Sequence, residues 1–421
     1  MSENNVIKMR HQKRTNHEWD FASSDTKYYT HGIHPYPAMM IPQVAERIIA
    51  ENGKNAEQGL DPFCGSGSVL LEFKLGGINC YGTDINPLAA LISRVKNTPI
   101  DPKAIVTELK NLQRTISQQA LTAELQFPTF FNIEYWFKPE VIPRLATIKH
   151  AIDEIKNKEI REFFLVCFSE TARRSSNTRG SEFKLYRIPE TKLANYNPDA
   201  LKIFYEVVNR NLEGMQSFYT ICQQKTTGNV RVLLTDITKE SKVPPNSIDL
   251  VVTSPPYGDS RTTVAYGQFS RLSLQWLGFP EEIKQIDKQM LGGKPAPTLE
   301  FNFSSPELED TINKIAEKDE LRARDVLSFF IDFYDVAKEV NRVMKENSKI
   351  CLVVGNRTVK GITIPTDEIM AEIFEDFNYS HKETLVRSIP SKRMPKRNSP
   401  TNVKGETLST MNEESIVILK R

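Results

Sequence analysis

Two short segments of the chain gather residue types that suit chemistry more than packing. The first is Asp61-Pro62-Phe63-Cys64-Gly65-Ser66-Gly67-Ser68. Glycines at a strand-to-helix turn let a ligand lie against bare backbone at a helix N-terminus, and a carboxylate ending the next strand, here Asp84, can accept two ribose hydroxyls. That combination suits a cofactor carrying a nucleoside. A pyrophosphate is disfavoured, because Leu70 stands where a third glycine would be needed and no Gly-Lys-Ser/Thr phosphate loop occurs. The second segment is Thr253-Ser254-Pro255-Pro256-Tyr257-Gly258. Its two prolines fix the backbone and delete two amide donors, so the Ser254 hydroxyl and the carbonyls of Ser254 and Pro255 stand as pre-aimed acceptors beside the flat ring of Tyr257. Acceptors next to a stacking ring suit an aromatic ring with an exocyclic amino group. Taken singly, each segment also reads as an ordinary turn: a tight α/β corner in the first case, a proline cap on a strand in the second.

Periodicity gives the elements that must hold these segments. Gln58 to Phe63 reads as a short buried strand, Ser68 to Leu75 as a helix, Asn79 to Asp84 as a strand and Pro87 to Val95 as a helix. This alternation marks a parallel α/β sheet. From 101 to 225 the pattern breaks. Val141, Ile142, Leu145, Ile148, Ile152 and Ile155 recur at helical spacing and Phe163 to Phe168 continues the apolar character, which predicts a helical insertion. Strand signals return at Val230 to Thr235, Ile248 to Thr253 and Lys349 to Val354, the last preceded by an apolar helix from Val326 to Met344. His381 to Ile389 and Glu414 to Lys420 close the chain as two further strands. The polar, proline-bearing stretch 280–325 is expected to lie outside the sheet as a lid or docking loop. The fold class is therefore α/β and Rossmann-like, with a mostly parallel central sheet. Residues 1–100 and 226–421 form one discontinuous unit, 101–225 a helical insertion and 280–325 a smaller one.

Composition narrows the class. A length of 421 residues fits two to three structural units. With 39% hydrophobic and 26% charged residues, and 55 basic side chains against 53 acidic, the chain is an ordinary globular protein, neither a disordered tail nor a fibre. No run approaches the roughly 18 apolar residues of a membrane span, and Met1 to Asp20 is polar and mixed in charge, unlike a signal peptide's apolar core, so a cytoplasmic location is expected. The five cysteines are scattered, without a Cys-x-x-Cys pair or a histidine at zinc spacing, which predicts free thiols and no metal. No internal repeat is present.

Together, and in this order of elements, the two segments resemble the amino-directed DNA methyltransferases that use S-adenosylmethionine. The likeness is greatest to those forming N4-methylcytosine, whose catalytic tetrapeptide is typically Ser-Pro-Pro-Tyr. His34-Pro35-Tyr36-Pro37 with Ile41-Pro42 looks like the family's methionine-side motif, Asp84-Ile85-Asn86-Pro87 its ribose motif, and Leu233-Leu234-Thr235-Asp236 its adenine-side motif. The likeness covers about 28–100 and 228–270, and more weakly 349–421. It implies that His34, Pro35, Asp61, Pro62, Phe63, Gly65, Gly67, Asp84, Ile85 and Asp236 hold S-adenosylmethionine, with no metal. It implies that Ser254, Pro255, Pro256 and Tyr257 hold the target base. The implied substrate is double-stranded DNA, in a restriction-modification system whose endonuclease is a separate protein. For His34 a packing role stands equally open.

No Pro-Cys dipeptide exists, which argues against methylation at cytosine carbon 5. Adenine N6 methylation by the same machinery stays open, and behind it an RNA amino-methyltransferase or a non-catalytic DNA-binding protein. The oligomeric state is not set by anything in the sequence.

Two basic segments are candidates for DNA contact. Between Thr384 and Gly405 lie Arg387, Lys392, Arg393, Lys396, Arg397 and Lys404 with no acidic residue, and prolines keep the segment out of a helix. Within Thr171 to Arg187 lie Arg173, Arg174, Arg179, Lys184 and Arg187 against the single acid Glu182, interleaved with Ser175, Ser176, Asn177 and Tyr186. Each also reads as a solvated charged face. Because the large insertion precedes Leu233, order alone does not say which segment reads the target sequence.

Overall fold

The computed structural model describes residues 11–122, 127–180, 182–259, 263–280, 285–389, 397–398, 408–409 and 412–421. Among these the strands are β1 (Lys13–Thr15), β2 (Gln58–Asp61), β3 (Asn79–Asp84), β4 (Val230–Leu234), β5 (Ile248–Thr253), β6 (Met344–Val354), β7 (Arg357–Val359), β8 (Ile362–Ile364), β9 (Ser380–Ser388), β10 (Arg397–Asn398), β11 (Leu408–Ser409) and β12 (Glu413–Lys420). One sheet has the order β1-β9-β12-β6-β5-β2-β3-β4. Its neighbours run parallel except around β12, which is antiparallel to both β9 and β6. Two small hairpins, β7–β8 and β10–β11, stand outside it.

The apolar runs of the central strands are continuous because both faces are covered. Along β6, Ile350, Leu352 and Val354 join one apolar cluster while Cys351 and Val353 join another. Along β12, Val417 and Leu419 part from Ile416 and Ile418 in the same way. The helices Pro42–Asn52 and Ser68–Leu75 cover one face through Val44, Ile48, Leu70 and Phe73. Glu320–Val343 and Thr366–Glu375 cover the other through Val326, Phe330, Ile369 and Phe374. The sheet is thus Rossmann-like and mostly parallel, as its sequence pattern predicts.

Between β3 and β4 the chain builds the helices Pro102–Thr122, Val141–Asp153, Lys158–Ser175 and Ala200–Gln224. Their buried residues share one apolar cluster with Leu88 and Ile92 of the helix Pro87–Asn97 and with Phe269 and Trp276 of the helix Tyr266–Trp276. The block therefore packs directly against the elements that flank the sheet.

The stretch 280–325 differs from its reading as irregular chain. It contains the helix Pro306–Ala316, and the next helix starts at Glu320 instead of Val326. Ser305 caps the first of these, its side chain accepting from the Leu308 amide, and Pro306 occupies the first turn, where its missing N–H costs nothing. Leu308, Ile312 and Ile315 are buried at helical spacing. A proline within a stretch expected to be a lid or docking loop is here a helix start. Among the described residues no helix is long and apolar enough to cross a membrane. All five cysteines are free, and all but Cys222 are buried.

Candidate active site

The chain leaves β2 for β3 and β4 on one side and passes through β5 and β6 on the other. The ends of β2 and β5 therefore diverge at a topological switch point, where an open α/β sheet forms its crevice. The residues singled out by type converge there. Asp61 ends β2, Asp84 ends β3, Asp236 follows β4 and Ser254 follows β5. All four line one cleft of about 900 Å3, counted to its open mouth, together with Pro62, Phe63, Gly65, Ile85 and Pro256.

Asp61 is 2% exposed. Its Oδ1 accepts from the Thr253 hydroxyl at 2.6 Å and from the Phe63 amide at 3.1 Å, both neutral donors. Burial pushes its carboxyl up to about 7, against the pull of those hydrogen bonds. The Thr253 bond also ties the end of β5 to the glycine turn after β2. Asp84 accepts from the Gly65 amide at 3.0 Å and the Asn86 amide at 2.7 Å, one on each oxygen, with the Ile85 amide a third donor, so the carboxylate keeps lone-pair capacity for a further donor. Burial pushes its carboxyl up to about 6. Asp236 goes the other way. Burial acts to raise it, but hydrogen bonds from Thr238 and Lys239 hold it below its ordinary value.

The acceptor loop is also bonded internally. Ser254 Oγ lies 3.3 Å from the Tyr257 hydroxyl, which donates to Glu414 Oε1 at 2.9 Å. Arg387 Nη1 donates to Glu414 Oε2 at 3.2 Å. Tyr257 is half-buried and Pro255 buried, and neither is part of the cleft wall.

Other marked residues stand back from the cleft. His34 is buried behind it, its Nδ1 2.6 Å from the Pro35 carbonyl and its ring edge-on to Phe269, and burial lowers its pKa to about 4. It packs as a neutral ring, and Pro35 is exposed. Gly67 faces the helix Pro87–Asn97. Composition gave no sign of Tyr36, Tyr266 or Ile237, which also wall the cleft. Tyr36 lies inside the His34–Pro37 stretch, and its hydroxyl accepts from Asn86 at 3.2 Å, so its neighbourhood was visible and its role was not.

No protein-family model matches the chain. Among proteins of known function, type II methyltransferase M.MvaI of Kocuria varians is 43% identical over 424 residues, covering 95% of this chain and 93% of that protein. The chain belongs to the type II DNA methyltransferases. Type II methyltransferase M.BsoBI of Geobacillus stearothermophilus is 24% identical over 80% of this chain and 76% of that protein. Type II methyltransferase M.MjaII of Methanocaldococcus jannaschii is 33% identical over 24% of this chain and 21% of that protein. Solved structures overlay loosely: the rRNA methyltransferase aviRa from Streptomyces viridochromogenes aligns with a TM-score of 0.31 at 10% identity, covering 92% of this chain and 88% of that one. TrmN from Thermus thermophilus aligns with a TM-score of 0.28 at 9% identity, covering 91% and 49%. Overlays this loose carry no argument.

For a DNA methyltransferase the basic segments matter next, and the fold revises them. Arg173 is 8% exposed, lies 4.1 Å over the Phe269 ring, and donates to the carbonyls of Phe269 and Glu182. Helical spacing turns it inward, where it cannot meet a phosphate. Arg387 is 1% exposed on β9 and bonded to Glu414, so it does not track phosphates either. Counting charges along the sequence missed both, because it ignores which face each residue takes. Arg174 pairs with Glu206, Arg179 with Glu182 and Arg187 with Glu190; the first two are exposed pairs of little energetic weight, while Arg187 is also held by the Tyr135 carbonyl and ring. Arg179, Lys184 and Arg187 sit on a loop closed by the Thr178–Arg187 bridge and packed on the helix Tyr266–Trp276, where Phe183 meets Phe269. Lys392, Arg393, Lys396 and Lys404 lie outside the described residues; Arg397 is in β10, with its side chain likewise outside them. Arg173→Ala is expected to cost about 2–3 kcal/mol in stability, read as a fall in Tm, and to leave the salt dependence of DNA binding unchanged. A slope flattened by about one unit would return Arg173 to the interface.

Proposed function

We propose that this DNA methyltransferase transfers the methyl group of S-adenosylmethionine to the exocyclic N4 amino group of cytosine in double-stranded DNA. Its setting is the modification arm of a restriction-modification system, with the endonuclease a separate chain. The observation that carries the reading is the meeting of Ser254 and Pro256 with the Asp61–Gly65 turn at one cleft, tied together by the Thr253–Asp61 bond.

The cleft's donor set fits the cofactor. Both bonds to Asp61 fall on Oδ1, leaving Oδ2 to take the methionine ammonium. The free lone pairs of Asp84 suit the ribose hydroxyls, Phe63, Ile85 and Ile237 give apolar walls, and Asp236 can accept from the adenine amino group. S-adenosylmethionine supplies a methyl on a sulfonium, with a neutral thioether as leaving group. The chain's own residues then position and polarise. A cytosine amino nitrogen is a poor nucleophile because its lone pair is delocalised into the ring. Ser254 Oγ and the Pro255 carbonyl, accepting its N–H groups, favour a more tetrahedral nitrogen aimed at the methyl. Reaching this pocket requires the base to leave the duplex, at a cost of a few kcal/mol, and the ring of Tyr257 offers it a stacking face. The loop carrying Arg179, Lys184 and Arg187 is the supported choice for contact with the flanking phosphates.

The test is expression in a methylation-deficient bacterium, followed by digestion of its genomic DNA to nucleosides and mass spectrometry. N4-methylcytosine is expected. N6-methyladenine would overturn the base assignment, and the absence of both products would overturn the reading as an amino-directed DNA enzyme.

A further inference from the structure

An exocyclic amino group brings N–H donors, so the hydroxyl of Ser254 helps it only if its oxygen faces the cleft as an acceptor. A hydroxyl has one proton to place. Where the Ser254 proton goes is decided by Tyr257, 3.3 Å away, which also has one. The Tyr257 hydroxyl lies 2.9 Å from Glu414 Oε1, and a carboxylate only accepts. The Tyr257 proton therefore goes to Glu414, and the phenol oxygen is left with lone pairs for Ser254. The chain of bonds runs from Ser254 to Tyr257 to Glu414 and is anchored by Arg387 Nη1, 3.2 Å from Glu414 Oε2.

We propose that Glu414, held by Arg387, is a positioning residue that fixes the direction of this chain, so that Ser254 turns its lone pairs toward the amino group of the target base. The inference rests on the amino-directed reading of the Ser254–Tyr257 loop. In the reverse direction Tyr257 would donate to Ser254, occupying one lone pair and pointing the Ser254 proton at the incoming N–H groups.

Two further observations support the assignment. Arg387 is 1% exposed, yet its Nε and Nη2 have no hydrogen-bond partner among the described residues. Unpaired donors on a buried guanidinium are costly, and an apolar pair of similar volume would stabilise the same site at least as well, so the ion pair is poorly explained by stability. Burial and the neighbouring Glu414 carboxylate also hold the Tyr257 phenol well above its ordinary range, so it keeps the proton that the relay needs.

The test is single-turnover methyl transfer and cofactor titration on Glu414→Gln, Tyr257→Phe and the double variant. An amide at 414 is isosteric; its carbonyl stays with Arg387 and its NH2 faces Tyr257, reversing the chain. Glu414→Gln is expected to slow methyl transfer by roughly 10- to 100-fold with the cofactor Kd within about twofold. In the Tyr257→Phe background the same substitution should change the rate by less than about twofold, because the relay is already cut. An undiminished rate in Glu414→Gln overturns the proposal, as do losses that multiply in the double variant or a matching loss of cofactor affinity, which would mark a merely structural pair. Failure of the amino-directed reading looks different: wild-type enzyme would then leave neither N4-methylcytosine nor N6-methyladenine in its DNA.

Discussion

Asp61→Asn is expected to weaken S-adenosylmethionine binding by about 100-fold or more while leaving the apo protein at least as stable as wild type. The substitution changes one atom's role. Thr253 and Phe63 both donate to Oδ1, which an asparagine retains, so the turn after β2 keeps its internal bonds. Oδ2 becomes an NH2 group, which repels an ammonium where the carboxylate would pair with it. Loss of one partner from a buried charged pair costs about 2–5 kcal/mol.

The stability side follows from linkage. The folded carboxyl is pushed up to about 7, from about 4 in an unfolded chain. A raised acid pKa means that ionising the folded protein is penalised, so this group's contribution to stability falls as pH rises from about 4 to 7. At pH 8 asparagine escapes that penalty, worth up to about 4 kcal/mol. Wild-type cofactor affinity should also decline as pH drops below about 7, since the proton must leave before the ammonium can pair, and the variant should lack that contribution to the slope. Calorimetric titration from pH 6 to 8 with thermal unfolding of both proteins checks all three statements. Unchanged affinity in the variant would remove Asp61 from the cofactor site.

What the sequence made legible follows a physical divide. Glycine and proline act on their own backbone, so the turns at Gly65 and Pro255 could be placed without knowing any distant neighbour. The alternating faces of Ile350–Val354 and Ile416–Leu419 are equally local, since a strand's period of two is written in the chain. Partnerships between distant elements are not local. Glu414 reaches Tyr257 only because β12 is inserted between β9 and β6, and nothing near position 414 signals a hydroxyl to bind. Arg387 and Arg173 looked like phosphate ligands because charge was counted without the face each residue takes on its strand or helix. The helix Pro306–Ala316 was missed for a different reason: proline breaks a helix interior but opens a helix at its first turn, and Ser305 just before it was the signal that separates the two cases. The cofactor cleft was thus read largely from local chemistry, and the relay behind its acceptor loop only from the fold.

The two glycines of the turn look alike in sequence, yet they should respond very differently to alanine. Both have positive φ, +48° at Gly65 and +79° at Gly67, so each substitution carries backbone strain of about 1–2 kcal/mol. Space separates them. A Cβ on Gly65 would meet the Tyr36 ring at 3.4 Å and the Phe63 carbonyl oxygen at 4.0 Å, both ordinary contacts. A Cβ on Gly67 would overlap Ser93 Oγ and come within 2.8 Å of Asn97 Nδ2, on the helix that packs behind the turn. Overpacking of this kind adds about 1–3 kcal/mol. Gly67→Ala should therefore lose about 3–4 kcal/mol and melt roughly 6–10 °C lower, whereas Gly65→Ala should stay folded and lose mainly cofactor affinity. Ser93 Oγ is buried with only the weakly bonding Cys64 thiol beside it among the described residues, so Ser93→Ala is cheap and can be added to Gly67→Ala. The double variant should recover only the part of the clash due to Ser93 Oγ, because the φ strain and the contacts with Asn97 Nδ2 and Ser93 Cα persist. Complete recovery would mean that neither the left-handed backbone at position 67 nor the Asn97 contact costs anything, and no recovery would remove Ser93 Oγ as a source of the strain; thermal unfolding of the two single variants and the double variant separates these outcomes.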